Sequence, residues 1–114
     1  MNNWEYIINF YSGVASRTIP ELAEFGRRML KLVRELQSQE GLADLIPGTA
    51  VYTLTLNTAG KDTNIFVSWS AGDGYMVRLN AMRGKLTQEV FVTEEELLPT
   101  IKRYVRELKL DTTQ

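Results

Sequence analysis

The chain of 114 residues contains no histidine and no cysteine, and this narrows its chemistry before any motif is read. Without cysteine there is no disulfide, thiolate nucleophile, iron–sulfur cluster or Cys-based zinc site. Without histidine the commonest general base and the commonest ligand for zinc, copper or iron are missing. A Ser-His-Asp or Cys-His centre cannot be assembled from these residues. What remains is carboxylate, Lys, Tyr or a hard metal such as Mg²⁺. Glu94-Glu95-Glu96 could hold such a metal or dock a basic partner, but three acids opening a helix are accounted for by its dipole. Asp44, Asp62 and Asp73 are scattered over predicted loops, so a carboxylate-and-metal enzyme ranks last. Gly72-Asp73-Gly74 could be a phosphate loop only if a helix followed it, and a strand pattern follows instead, so it reads as a hairpin turn. Arg27, Lys31 and Arg34 recur at helical spacing with Arg28 beside them. Pairs such as Glu24–Arg28 and Lys31–Glu35 make this ridge a solvated helix face rather than an RNA contact. Thirteen Lys and Arg against fourteen Asp and Glu, net −1, give no electrostatic drive toward nucleic acid. The expectation is a non-enzyme with no catalytic residue, no cofactor and no metal.

One set of side chains is more informative. Trp69, Tyr75, Phe66, Arg78 and Tyr52, with Phe91, place large aromatics and an arginine on both faces of a predicted sheet. Exposed aromatics beside an arginine are the composition of an interface hot spot. The same aromatics could instead fill the core, and burial of Trp69 against Phe66 decides which face is open.

The elements that position these residues follow from periodicity. Thr18-Ile-Pro-Glu21 reads as a capping box with Pro20 in the first turn, opening a helix to about Glu40, with Gly41 free to end it. Its apolar stripe is Leu22, Phe25, Gly26, Met29, Leu30, Val33 and Leu36. Leu42 to Gly48 reads as a connector, with Leu42, Leu45 and Ile46 under the helix end. Four short strands follow over Val51–Val92: VYTLTLN, IFVSWSA, YMVRLN and LTQEVFV, joined by turns at 58–63, 72–74 and 83–85. Thr93-Glu-Glu-Glu96 is a second capping box, with Val92 and Leu97 placed as a hydrophobic staple, and its helix runs to about Leu110. The segment from Trp4 to Ala15 fits a helix with Trp4, Ile7, Ile8, Tyr11 and Ala15 on one face, and also fits a strand.

These elements predict a single domain over 1–114 of the α+β class: a four-stranded antiparallel β-meander with two helices packed on one face (α-β-β-β-β-α) and an additional short N-terminal helix or strand. No apolar run reaches the ~20 residues of a membrane span, and the N-terminus lacks the pattern of a signal peptide, so a cytoplasmic location without membrane contact is expected. The order from Thr18 to Leu110 resembles the layout of cystatin-like domains, without the motifs that carry their inhibition, and is similar to that of many bacterial immunity proteins. That resemblance implies a protein partner. The missing histidine and cysteine and an open sheet face make a protein-binding module, acting through that face or an edge and able to form a homodimer, the leading expectation. The alternative is a small-ligand carrier with a pocket between sheet and helices, lined by Trp69, Tyr75 and Tyr104.

Overall fold

The computed structural model describes residues 3–57, 63–81 and 87–111, with backbone alone at 63–64, 80–81, 87 and 108–111. Among these residues the elements are α1 (Asn3–Ala15), α2 (Pro20–Ser38), β1 (Ile46–Ala50), β2 (Thr53–Asn57), β3 (Thr63–Ala71), β4 (Gly74–Ala81), β5 (Thr87–Thr93) and α3 (Glu94–Asp111). The strands form one antiparallel sheet in the order β1-β2-β3-β4-β5, a meander of nearest neighbours. The α+β class and the antiparallel meander packed with helices are therefore as read. The strand count is five, not four, and the third helix is the N-terminal segment. The turn expected at 58–63 lies outside the described residues except for Thr63, which begins β3, and so do the turn at 83–85 and Leu86.

The added strand is β1. Pro47 and Gly48 read as punctuation, since proline donates no backbone hydrogen bond and glycine weakens a strand. At an edge that missing donor costs little, and Pro47 pairs opposite Leu56 with its ring buried. Leu42 and Leu45 tuck under the end of α2 as expected, but Ile46 is 43% exposed because it begins the strand on the open side.

Opposed residues of an antiparallel pair share a face. One face therefore carries Leu56–Ile65–Leu79, Leu54–Val67–Val77–Val90 and Trp69–Tyr75–Val92 in cross-strand rows. Except for Trp69 and Val90, which are half-buried, all of these are buried, in one cluster with Trp4, Ile7 and Tyr11 of α1, Met29, Leu32, Val33 and Leu36 of α2, and Leu97, Ile101, Tyr104 and Val105 of α3. The 3.6-residue spacing of those positions builds each helix's apolar stripe. The helical reading of α1 wins because Trp4, Ile7, Tyr11 and Val14 all find the core on one side.

Two contacts fix α1. The Trp4 indole Nε1 donates to the Ala43 carbonyl (3.0 Å) and the Tyr11 hydroxyl donates to the Tyr52 carbonyl (2.8 Å), so α1 lies along β1, tied to the chain before and after it. Gly26 lets α2 cross α1 closely. A Cβ there would fall onto the Ala15 backbone nitrogen and 2.7 Å from the Val14 carbonyl carbon. At Thr93 the Glu96 half of the capping box is in place, the Thr93 backbone N–H and hydroxyl both donating to the Glu96 carboxylate (3.2 and 2.9 Å). The box expected at Thr18 does not form. Helix α2 starts at Pro20 with Ile19 as an extended N-cap that has no side-chain bond, and it ends at Ser38 rather than Glu40.

Candidate binding surface

The polar groups singled out by sequence are largely neutralised by one another. Arg28 is the hub. It bonds to Glu24 (3.0 Å), approaches Asp73 of the β3–β4 turn (3.7 Å) and Glu94 of α3 (4.0 Å), and lies 5.7 Å from the centre of the Trp69 ring. Arg27 pairs with Glu24 of its own helix at 2.6 Å, whereas Lys31 reaches across to Glu94 of α3 at 2.8 Å rather than to the expected Glu35, so the basic ridge is matched partly within α2 and partly by α3. The Arg27 and Arg28 guanidiniums hold the Glu24 carboxyl below its ordinary range, and the Lys31 ammonium does the same to Glu94. Glu96 is lowered by its bonds from Thr93. The three glutamates that opened α3 thus diverge: Glu94 to α2, Glu96 to the cap, Glu95 into solvent. No group of three acids that could hold a metal exists among the described residues.

Gly72-Asp73-Gly74 is a hairpin turn, as read. Gly72 takes φ +58° and its carbonyl accepts from the Trp69 indole Nε1 at 2.8 Å. The register shifts between Trp69 and Ala71, a bulge that leaves Trp69 half-buried at the sheet end.

The five residues proposed as one surface divide into three places. Tyr75 is buried under the helices (1% exposed), its hydroxyl pushed up by burial. Phe66 and Arg78 pair opposite each other on the face of the sheet that no described helix covers. Trp69 and Tyr52 lie at the sheet end, each against Phe25 of α2. The open face is therefore the Phe66 face. It carries a diagonal of Phe66, Met76 and Phe91, the last 67% exposed, with an Arg78–Glu89 pair at 3.6 Å beside it. Thr53, Thr55 and Ser68 share it with Ile46, Gly48, Ala50 and Asn57.

The sheet end is the more shaped surface. Phe25 stands edge-on to both Tyr52 (6.3 Å, 72°) and Trp69 (6.4 Å, 64°), and Phe10 lies 6.0 Å from Tyr52. With Ile19, Glu21, Leu22 and Ser70, the Phe25, Tyr52 and Trp69 rings line an open groove of about 420 Å³. Neither Tyr75 nor Tyr104 lines it, so it is not the sheet–helix pocket expected for a carrier. Beside it the β1–β2 connection is a two-residue turn, Val51-Tyr52, between the paired Ala50 and Thr53. Val51 has φ +60°, among the described residues the one non-glycine with positive φ, and is 86% exposed. Such turns are normally given to glycine at that position, because a β-branched side chain clashes there. Together Ile19 (56% exposed), Val51 and Tyr52 (38%) hold apolar surface up to solvent around the groove.

Sequence reasoning missed Ile19 and Val51. Ile19 stood inside an expected capping box, and Val51 completed an apparently regular strand alternation. Phe25 was placed on the apolar stripe of α2, and from there it reaches the groove as well as the core.

No known protein family, curated protein or solved structure matches this chain.

Proposed function

We propose that the chain is a non-enzymatic cytoplasmic module that binds a protein partner, of the inhibitor or immunity type, and that the working surface is the sheet end at the Val51-Tyr52 turn. The observation that carries this reading is Val51. Strained backbone is kept where the surroundings or a function over-determine it, at a cost of order 1–3 kcal/mol. Here the side chain that causes the strain is 86% exposed, so folding gains little from it. An apolar residue held outward at that cost, next to a groove floored by Phe25 and Trp69, is suited to insert into a partner while the groove receives one of the partner's apolar side chains. Tyr11 braces the turn by its hydroxyl bond to the Tyr52 carbonyl, which makes the tip preorganised.

The groove volume falls in the range of small-ligand sites, so a carrier is the competing reading. The extent of the exposed apolar surface favours a protein. A ligand seated against Phe25, Tyr52 and Trp69 leaves Val51 uncovered, whereas a protein surface covers both.

Quantitative co-purification from the source cells tests the proposal, using the tagged chain, an Ile19→Asp/Val51→Asp variant and a Phe91→Lys control. All three sites are exposed, so the fold is retained, which circular dichroism verifies. A partner enriched by the parent chain and the control but lost with the double variant is expected. No enriched protein, or enrichment indifferent to the double variant, contradicts it.

A further inference from the structure

The two edges of the sheet are treated differently. Edge strands carry unpaired backbone donors and acceptors, and monomeric proteins blunt them with proline, lysine, bulges or a covering element. Strand β1 has two such protections: Pro47 within it and α1 lying along it, held by the Trp4–Ala43 and Tyr11–Tyr52 bonds. Strand β5 has no proline, and among the described residues α3 packs on its helix side while no element pairs along its outer edge. Its sequence, Thr87-Gln-Glu-Val-Phe-Val-Thr93, contains no proline, glycine or lysine, and β4 is its one hydrogen-bonded neighbour. It is rich in β-formers and carries an exposed aromatic, Phe91, on the open face.

We infer that β5 is a pairing edge for a second copy of this chain, antiparallel about a two-fold axis at Phe91. The register follows from side-chain matching. With the axis at Phe91, the two Phe91 rings oppose each other on the open face, Val90 opposes Val92 of the second copy on the helix side, and Glu89 opposes Thr93. Moving the axis to Val90 keeps a Val90–Val90 pair but sets Glu89 against Phe91 and Gln88 against Val92, polar against apolar in both pairs flanking the axis. Cross-strand pairs of like character are the favourable ones, and both registers keep the two Glu89 carboxylates apart. The Phe91-centred pairing covers the half-exposed Val90 and the most exposed aromatic of the sheet. It also joins the Met76–Phe91 rows of the two copies into one apolar row across a continuous ten-stranded sheet. The single acid of β5 brings no unpaired charge to the seam, since it is already paired within its own sheet to Arg78.

A ladder of this length with one aromatic pair buries less than ~1,200 Å², the class of weak and reversible interfaces. A dissociation constant of order 10–100 μM is expected, so sedimentation is followed from about 5 to about 500 μM. The parent chain shifts from monomer to dimer over that range. Phe91→Lys, at a site where the fold does not depend on the ring, weakens the dimer at least about tenfold, one decade in dissociation constant. The absence of cysteine supplies a second readout. Directly opposed residues lie ~5 Å apart, within reach of a disulfide, so Phe91→Cys cross-links under mild oxidation. Phe66→Cys does not, because five inter-strand steps separate the two copies of it by about 24 Å. A parent chain that stays monomeric at the highest concentration overturns the inference. So does a dimer that cross-links through Phe66→Cys and not through Phe91→Cys, since that places the contact on the face instead of the edge.

Discussion

Replacing Val51 by glycine separates what the residue does for folding from what it does for binding. Its φ of +60° places the Val side chain against its own backbone, and a non-glycine residue in that region costs about 1–2 kcal/mol. Glycine removes this cost but loosens the unfolded chain, which takes back roughly 0.4–1 kcal/mol. Because the side chain is 86% exposed, its burial contributes only about 0.3 kcal/mol more. The balance is a net stabilisation of about 0.5 kcal/mol, or about 2–3 °C in Tm for a chain of this size. Urea unfolding followed by circular dichroism measures it, with the slope m unchanged because the surface exposed on unfolding is unchanged. Partner binding should fall in the same variant. A loss of stability beyond ~0.5 kcal/mol would mean that Val51 supports the fold, and the strained-for-function reasoning would fail.

Gly26→Ala gains helix propensity but drives a methyl into the α1 backbone at Ala15, so a net destabilisation of about 2–3 kcal/mol is expected in the same urea assay. Tyr11→Phe leaves the Tyr52 carbonyl without its donor and should cost about 1–1.5 kcal/mol, with faster hydrogen exchange at Thr53 as the local signature. Burial raises the Tyr11 and Tyr75 hydroxyls above the ordinary tyrosine range, so above about pH 10 the unfolded chain gives up protons that the folded chain keeps. Stability therefore falls as pH rises past that point, and Tyr11→Phe flattens the fall in an alkaline Tm series. At the other end, Glu24, Glu94 and Glu96 are held below the usual carboxylate range, so the stability they contribute is present at neutral pH and is lost as pH drops through their folded values. Glu94→Gln reduces that acid slope.

Most of the scaffold was legible in the residues, and the exceptions have physical causes. Period-two alternation gave β3, β4 and β5 their faces because Ile65, Val67, Tyr75, Val77 and Leu79 all needed the core. The open face was identifiable too, since Ser68 and Arg78 alternate with those positions, but Phe66 and Phe91 disguised it. Strand β1 was hidden by Pro47-Gly48, whose local preference against a strand is outweighed by pairing with β2 at an edge. The Val51-Tyr52 turn was hidden by its own composition: turn prediction relies on Gly, Asn and Pro, and this turn uses none. The binding surface was half legible. Tyr52 and Trp69 were named, yet Tyr75 shares a row with Trp69 and is buried where Trp69 is not, a difference made by the bulge at Trp69/Ala71 and by the overlying α2 and α3. Ile19 and Val51 matter through exposure, which no periodicity reports when the side chain is apolar.

The central claim, that the sheet end is the surface that meets a partner, is tested most directly by hydroxyl-radical footprinting of the chain alone and in its purified complex. Protection concentrated at Ile19, Val51, Tyr52 and Trp69, with Tyr6 unchanged, is the predicted result. Unaltered labelling at those four side chains, with protection at Phe66 and Met76 instead, would contradict it.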